Sequence, residues 1–167
     1  GEADVYDLGG GTALKLFKPD THPDFHCNAQ VSAARKRFDE YQTKLPNFPK
    51  SLPVSVITPA DVVWDKKRNG KIVGYTMPLI AGAASFFELT SPNTRRKRIT
   101  GSDVVTILGN LHKAVREIHA AGIVIGDFND LNILVRDNEV FLIDADSYQF
   151  GGFKCRLYNE RFVDPLA

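Results

Sequence analysis

Ile118-His119-Ala120-Ala121-Gly122-Ile123-Val124-Ile125-Gly126-Asp127-Phe128-Asn129-Asp130-Leu131-Asn132-Ile133-Leu134-Val135 is the stretch that decides the fold, and Val140-Phe141-Leu142-Ile143-Asp144-Ala145-Asp146 completes it. Upstream, Val104, Ile107, Leu108, Leu111, Val115 and Ile118 recur at helical spacing. They predict a helix near residues 103–120, with Ser102 or Asp103 as its cap and Gly122 as the left-handed residue that ends it. Two short apolar runs, 132–135 and 140–143, read as strands joined by a turn at Asp137-Asn138. A helix therefore feeds a polar loop, and the loop feeds a small hairpin with acidic residues at both of its ends.

Taken singly these polar residues are ordinary. An Asp before a strand is usually a turn former, and an Asn in a tight loop often caps backbone groups. The order and spacing are more specific: Asn132 follows Asp127 by five positions, and Asp144 closes the second strand. In that order the segment resembles the protein-kinase catalytic loop followed by the strand that delivers the metal-binding Asp of the D-F-G motif. The resemblance implies an α+β, two-lobed protein-kinase-like fold with ATP and Mg²⁺ as cofactors. It gives Asp127 the task of orienting the attacking hydroxyl and accepting its proton, with Asn132 and Asp144 as oxygen ligands suited to a hard ion. Phosphoryl transfer is helped mainly by positioning and by charge neutralisation, which is why such a site needs these residue types.

The chain on the N-terminal side extends the resemblance. Val5–Leu8 and Thr12–Phe17 flank Gly9-Gly10-Gly11 and predict a hairpin. Gly1-Glu2-Ala3-Asp4-Val5-Tyr6 is similar to the second half of a glycine-rich phosphate loop, with Gly1 near the phosphates and Val5 roofing the adenine. Ala13-Leu14-Lys15-Leu16 is similar to the V-A-I-K strand, which makes Lys15 the residue for the α- and β-phosphates and part of the catalytic set. Val31, Ala34, Phe38, Tyr41 and Leu45 predict a helix over 29–45, stopped by Pro46 and Pro49. Val62–Trp64 and Ile72–Met77 read as a further strand pair around the turn-rich 65–70. Gly74-Tyr75-Thr76-Met77-Pro78-Leu79-Ile80 resembles an inter-lobe hinge, with Met77 behind the adenine and backbone groups of Pro78 and Ile80 at its edge. The lobes implied are residues 1–77, rich in β-structure, and 78–167, carrying the catalytic loop.

Met77-Pro78, Arg95-Arg96, Gly126-Asp127 and Ile143-Asp144-Ala145-Asp146-Ser147-Tyr148-Gln149 together resemble one group of bacterial protein-kinase-like proteins. Some members carry helix-hairpin-helix modules or are encoded with phosphatase and tellurium-resistance-type partners. Phe162-Val163-Asp164-Pro165-Leu166 resembles the end of a kinase activation region, so a C-terminal lobe cut short is expected, along with a partner phosphatase or a further C-terminal segment. A protein substrate is the expected partner.

Several positions depart from the kinase pattern. Ile125 and Gly126 stand where His and Arg are usual, which removes the cation that binds a phosphorylated activation loop. Asn129 stands at the usual loop Lys and is counted with the catalytic residues. Asp146 replaces a Gly, so Asp144 and Asp146 are both candidate metal ligands. The acidic partner of Lys15 is not fixed by spacing, which falls near Ala34; Glu40, beside Tyr41, is the better choice over Asp39. The activity the resemblance implies is transfer of the ATP γ-phosphoryl group to a protein Ser or Thr hydroxyl. Its rivals are a pseudokinase that binds nucleotide without transfer and a small-molecule kinase on the same fold.

Bulk properties agree with a globular domain. Hydrophobic residues make up 43% and charged residues 25% of the 167, and 21 Lys and Arg against 20 Asp and Glu leave a net charge of +1. That balance offers no case for a nucleic-acid or membrane-surface protein. The run Arg95-Arg96-Lys97-Arg98 reads as a solvated loop before a helix, and nucleic-acid contact through it as a distant alternative. Cys27 and Cys155 form no CxxC pair and fit a reducing, cytoplasmic compartment. No apolar run approaches the roughly 20 residues that cross a bilayer. Gly1-Glu2-Ala3-Asp4 is not a signal peptide, and the missing initiator Met suggests a fragment.

Overall fold

Residues 2–93 and 99–155, the side chain of Arg68 apart, are described by a computed structural model. Gly1, the basic run at 95–98, Arg156, Tyr158 and the segment 162–166 lie outside the described residues. The elements are of α+β type and divide into two units: residues up to 48 with 59–80, and 49–58 with residues from 81 onward. The ten residues 49–58, placed with the first lobe on sequence, thus pack with the second unit.

The first unit is built on β1 (Ala3–Gly9), β2 (Thr12–Phe17), β3 (Val62–Asp65) and β4 (Lys71–Pro78), in one antiparallel sheet of order β1-β2-β4-β3. The β1–β2 hairpin turns where three consecutive glycines all take positive φ, a path that a Cβ would strain. Helix α1 (Asn28–Lys44) covers one face. Of its predicted apolar stripe, Ala34, Tyr41 and Leu45 are buried. Tyr41 and Leu45 pack with Ile72 and Tyr75, and Phe17, Val62 and Met77 close around them. The Phe17 ring lies 4.6 Å from that of Tyr41 and 5.9 Å from that of Tyr75. Gln42 fastens α1 to β4. Its Oε1 accepts the Ile72 N–H (2.8 Å), and its Nε2 donates to the Ile72 carbonyl (3.0 Å) beside the bulge between Val63 and Trp64. Buried backbone groups have to be partnered, and here a side chain partners both groups of one residue.

The second unit holds β5 (Ala84–Ser85), α2 (Phe86–Thr90), α3 (Gly101–Ala120), β6 (Ile133–Arg136) and β7 (Glu139–Leu142), with sheet order β5-β6-β7. Helix α2 was not evident in the sequence. It is one turn long and depends on a capping box between Ser85 and Glu88. The cap of α3 is Thr100, not Ser102 or Asp103. Thr100 Oγ1 accepts the Asp103 N–H (3.2 Å), and Asp103 answers by accepting the Thr100 N–H (2.8 Å). Asp103 also accepts from Asn138 Nδ2 at 2.7 Å, and Asn110 donates to the Asn138 carbonyl, so the helix start is tied to the β6–β7 turn. In that turn Asp137 and Asn138 both have positive φ, the type I′ geometry that joins strands with the right twist. On α3, Ile107, Ala114 and Ile118 are buried, whereas Val104 and Leu108 of the predicted stripe remain exposed. The segment 49–58 extends this sheet: Val56 pairs in parallel with Leu142, the Ile57 N–H reaches the Leu142 carbonyl, and the Leu142 N–H reaches Ser55. Among the described residues no helix is long and apolar enough to cross a membrane, and both cysteines are free thiols.

Candidate functional site: the loop after α3 and the strand of Lys15

The loop is anchored at its start by the way α3 ends. Gly122 takes φ +73°, its N–H bonds to the His119 carbonyl, and the Ile123 N–H bonds to the Ile118 carbonyl. Ile118 and Ile123 are both buried, which completes a Schellman motif. Val124 then exchanges two backbone bonds with Gln149, at 2.9 and 2.8 Å, pinning the loop to the segment beyond Asp144. Gly126 sits in the tightest place. A Cβ there would collide with Cys155 Sγ and lie 2.8 Å from the Ser147 carbonyl oxygen.

Between residues 127 and 132 the loop is organised by two side-chain amides. Asn132 Nδ2 donates to the Asp127 carbonyl (2.9 Å) and to Asp127 Oδ2 (3.2 Å). Asn129 Nδ2 donates to the same carbonyl (3.2 Å), while Asn129 Oδ1 accepts the N–H groups of Leu131 (2.9 Å) and Asn132 (3.1 Å). Asn129 is only 7% exposed. The Asn132 carbonyl accepts the Ile143 N–H at 3.0 Å, so the β6–β7 ladder gains one rung and ends with Asp144 next to Asn132.

Asp144 is half-buried and has φ +62°, a backbone state that Asp tolerates better than most residues and that gathers at functional sites. Its carbonyl takes the N–H (3.0 Å) and the Oγ (2.8 Å) of Ser147. Asp146 is 2% exposed, inside the turn Ala145–Ser147, and differs in this from Asp144. Tyr148 is buried as well. Burial first, then the negative charge of Asp144 and Asp146, pushes its phenol far above the usual range, so the hydroxyl stays neutral.

The donor set fits magnesium. With Nδ2 of Asn132 committed to Asp127, its Oδ1 is the acceptor on the other branch of the amide. Among the described residues no three His, Cys, Asp or Glu side chains gather into a metal cage. Magnesium seldom uses such cages; it takes one or two protein oxygens and completes its shell with water and substrate phosphate.

In the first unit, register sets the candidates. Lys15 on β2 lies opposite Val5 on β1 and Tyr75 on β4, and its Nζ is 5.8 Å from the centre of the Tyr75 ring. Tyr75 belongs to the core beneath α1, so Lys15 is on the face that α1 covers. Glu40 is half-buried on α1, whereas Asp39 is exposed and pairs with Lys71 at 3.8 Å. Met77 packs on the core; Pro78 ends β4 opposite Thr12, and the Leu79 N–H bonds to the Gly11 carbonyl at 2.8 Å. Val5 is 57% exposed and Ile80 half-buried.

No family model matches the chain. It is 33% identical over 86 residues to the protein kinase YegI of Escherichia coli, in both the O157:H7 and K12 strains. The matched region is 49% of this chain and 13% of the length of those relatives. Among solved structures it is similar to the Drosophila melanogaster PAN3 pseudokinase, with a TM-score of 0.50 at 13% identity, over 80% of this chain and 32% of that one. The fold is protein-kinase-like.

Proposed function

We propose that this kinase-like domain transfers the γ-phosphoryl group of ATP to a Ser or Thr hydroxyl of a protein. The observation that carries the reading is the Asn132 amide bonded to both the carbonyl and the carboxylate of Asp127. One contact joins the proposed base to the proposed metal ligand. In the reaction the substrate hydroxyl oxygen forms the new bond to the γ-phosphorus, the bond to the β–γ bridging oxygen breaks, ADP leaves, and the hydroxyl proton passes to the Asp127 carboxylate. Asn132 and Asp144 would hold Mg²⁺, which supplies charge neutralisation on the phosphates. Lys15 would bind the α- and β-phosphates, with Glu40 as its carboxylate partner from the covering helix, and Val5, Met77, Pro78 and Ile80 would surround the adenine. Asp146, being buried, is better suited to support the turn than to share the metal.

A second reading, a pseudokinase that binds nucleotide without transfer, is favoured by Asn129. It stands at the usual Lys and its amide is engaged within the loop. Incubating the full natural chain with labelled ATP and Mg²⁺, followed by phosphosite mapping, separates the two. Transfer is expected in the wild type and lost by about 10²–10⁴-fold in Asp127→Ala. No labelled Ser or Thr, with nucleotide affinity intact, would leave the pseudokinase. In calorimetry Lys15→Ala is expected to weaken Mg–ATP binding and Asp144→Ala nearly to abolish it; unchanged affinity in both would refute the site.

A further inference from the structure

Asn129 carries more of the loop's geometry than its place in the motif suggests. Resting on the phosphotransfer reading, we infer that Asn129 is a positioning residue that sets the orientation of Asn132 toward the metal, and that it does not itself touch the transferred phosphate.

An amide side chain offers two N–H groups and an oxygen with two lone pairs. In Asn129 both lone pairs are taken by the Leu131 and Asn132 N–H groups, and one N–H is taken by the Asp127 carbonyl. With 7% of the residue exposed, little of the side chain can turn outward. The Asn132 N–H is held twice, by Asn129 Oδ1 at 3.1 Å and by the Asn129 carbonyl at 3.2 Å, so the backbone from which the Asn132 side chain springs is fixed.

The Asp127 carbonyl is the meeting point. It accepts Nδ2 from both Asn129 and Asn132, one for each lone pair. Turning the Asn132 amide over would set its oxygen against that carbonyl and against Asp127 Oδ2, two acceptor–acceptor contacts. The arrangement therefore commits Nδ2 of Asn132 inward and leaves Oδ1 as the metal-facing atom. A Lys at 129 has three donors and no acceptor, so it could not cap Leu131 and Asn132. Groups that orient a ligand in this way typically cost 10–100-fold in metal affinity when lost.

The test uses the full natural chain as wild type and as Asn129→Ala, Asn129→Asp and Asn129→Lys, with two measurements. Amide hydrogen exchange at Leu131 and Asn132 is followed without ligand, and the Mg²⁺ concentration for half-maximal ADP binding is followed by calorimetry. Asn129→Ala is expected to lose protection at both amides and to raise the Mg²⁺ requirement about tenfold. Asn129→Asp keeps the acceptor oxygens, so it should retain the protection and recover part of the Mg²⁺ affinity. Asn129→Lys should behave as Asn129→Ala despite its charge. An unchanged Mg²⁺ requirement in Asn129→Ala, or in Asn129→Lys if the Ala variant does not fold, overturns the inference. So does an Asn129→Lys variant with faster transfer and wild-type Mg²⁺ dependence. If wild type takes up no Mg–ADP, the reaction reading falls and the metal role of Asn129 with it; the exchange measurement identifies that failure by showing the amides still protected.

Discussion

Two glycines, one in each unit, hold backbone close to other atoms, and they do so against different obstacles. Gly74 on β4 faces backbone: a Cβ would collide with the Lys15 carbonyl and come within 3.2 Å of Leu16 Cα. Gly126 faces mostly a side chain, since its Cβ would collide with Cys155 Sγ, with the Ser147 carbonyl at 2.8 Å behind. The first contact is part of a strand ladder that fixes Lys15 by register. The second belongs to a loop whose shape comes from side-chain bonds and a thiol. A clash with a ladder has no neighbour that can be trimmed, whereas a clash with a thiol has one.

The largest effect is expected at Gly74. Gly74→Ala should cost about 3 kcal/mol, because well-packed backbone gives little and overpacking typically costs 1–3 kcal/mol or more. Denaturant unfolding measures it, and a loss under about 0.5 kcal/mol would show that the strands part easily. Gly126→Ala should cost less, about 1–2 kcal/mol. About half should return in Gly126→Ala combined with Cys155→Ala, while no recovery would mean that the Ser147 carbonyl sets the limit.

A smaller effect belongs to acid. Hydrogen bonds from the Thr100 side chain and backbone, and from Asn138, hold the Asp103 carboxyl below its ordinary value. A carboxyl depressed in the folded state stabilises above its unfolded pKa and loses that contribution as pH falls through the folded one. Stability should therefore fall more steeply below about pH 4 in wild type than in Asp103→Asn. Parallel curves would show the helix start to be insensitive to that charge. The smallest effect is expected from phosphate removal. Gly126 offers no cation, Tyr148 is buried, and Ser147 Oγ is bonded to Asp144. Phosphatase treatment should change nucleotide affinity by less than tenfold, about 1.4 kcal/mol. A larger loss would identify a phosphate switch served by another cation, such as Lys154 or Arg156.

Much of the fold was legible because its signals are local. The hairpin at Gly9–Gly11, the helices near 29–45 and 103–120, and the strands at 133–136 and 139–142 follow from periodicity and turn chemistry. The five-residue spacing of Asp127 and Asn132 was legible as a motif, whereas the bond between the two side chains is seen only in the folded loop. Thr100 was missed as the cap because Ser102 and Asp103, nearer the apolar stripe, have the same capping chemistry. Only the reciprocal bonds distinguish them. Asn129 was assigned by its place in a motif, and its partners are set by the folded loop.

The sequence by itself determined the types of the longer elements, the order of polar residues around the hairpin, and the absence of a cation at position 126, since each depends on neighbours within a few residues. Tertiary structure alone decided that 49–58 joins the second unit, that Gln42 partners both backbone groups of Ile72, that Lys15 lies under α1 and that Cys155 fills the space left by Gly126. Each of these brings together residues well separated in the chain, 30 positions in the case of Gln42 and Ile72. A period of two or 3.6 residues says which face is apolar, but not which distant surface will meet it.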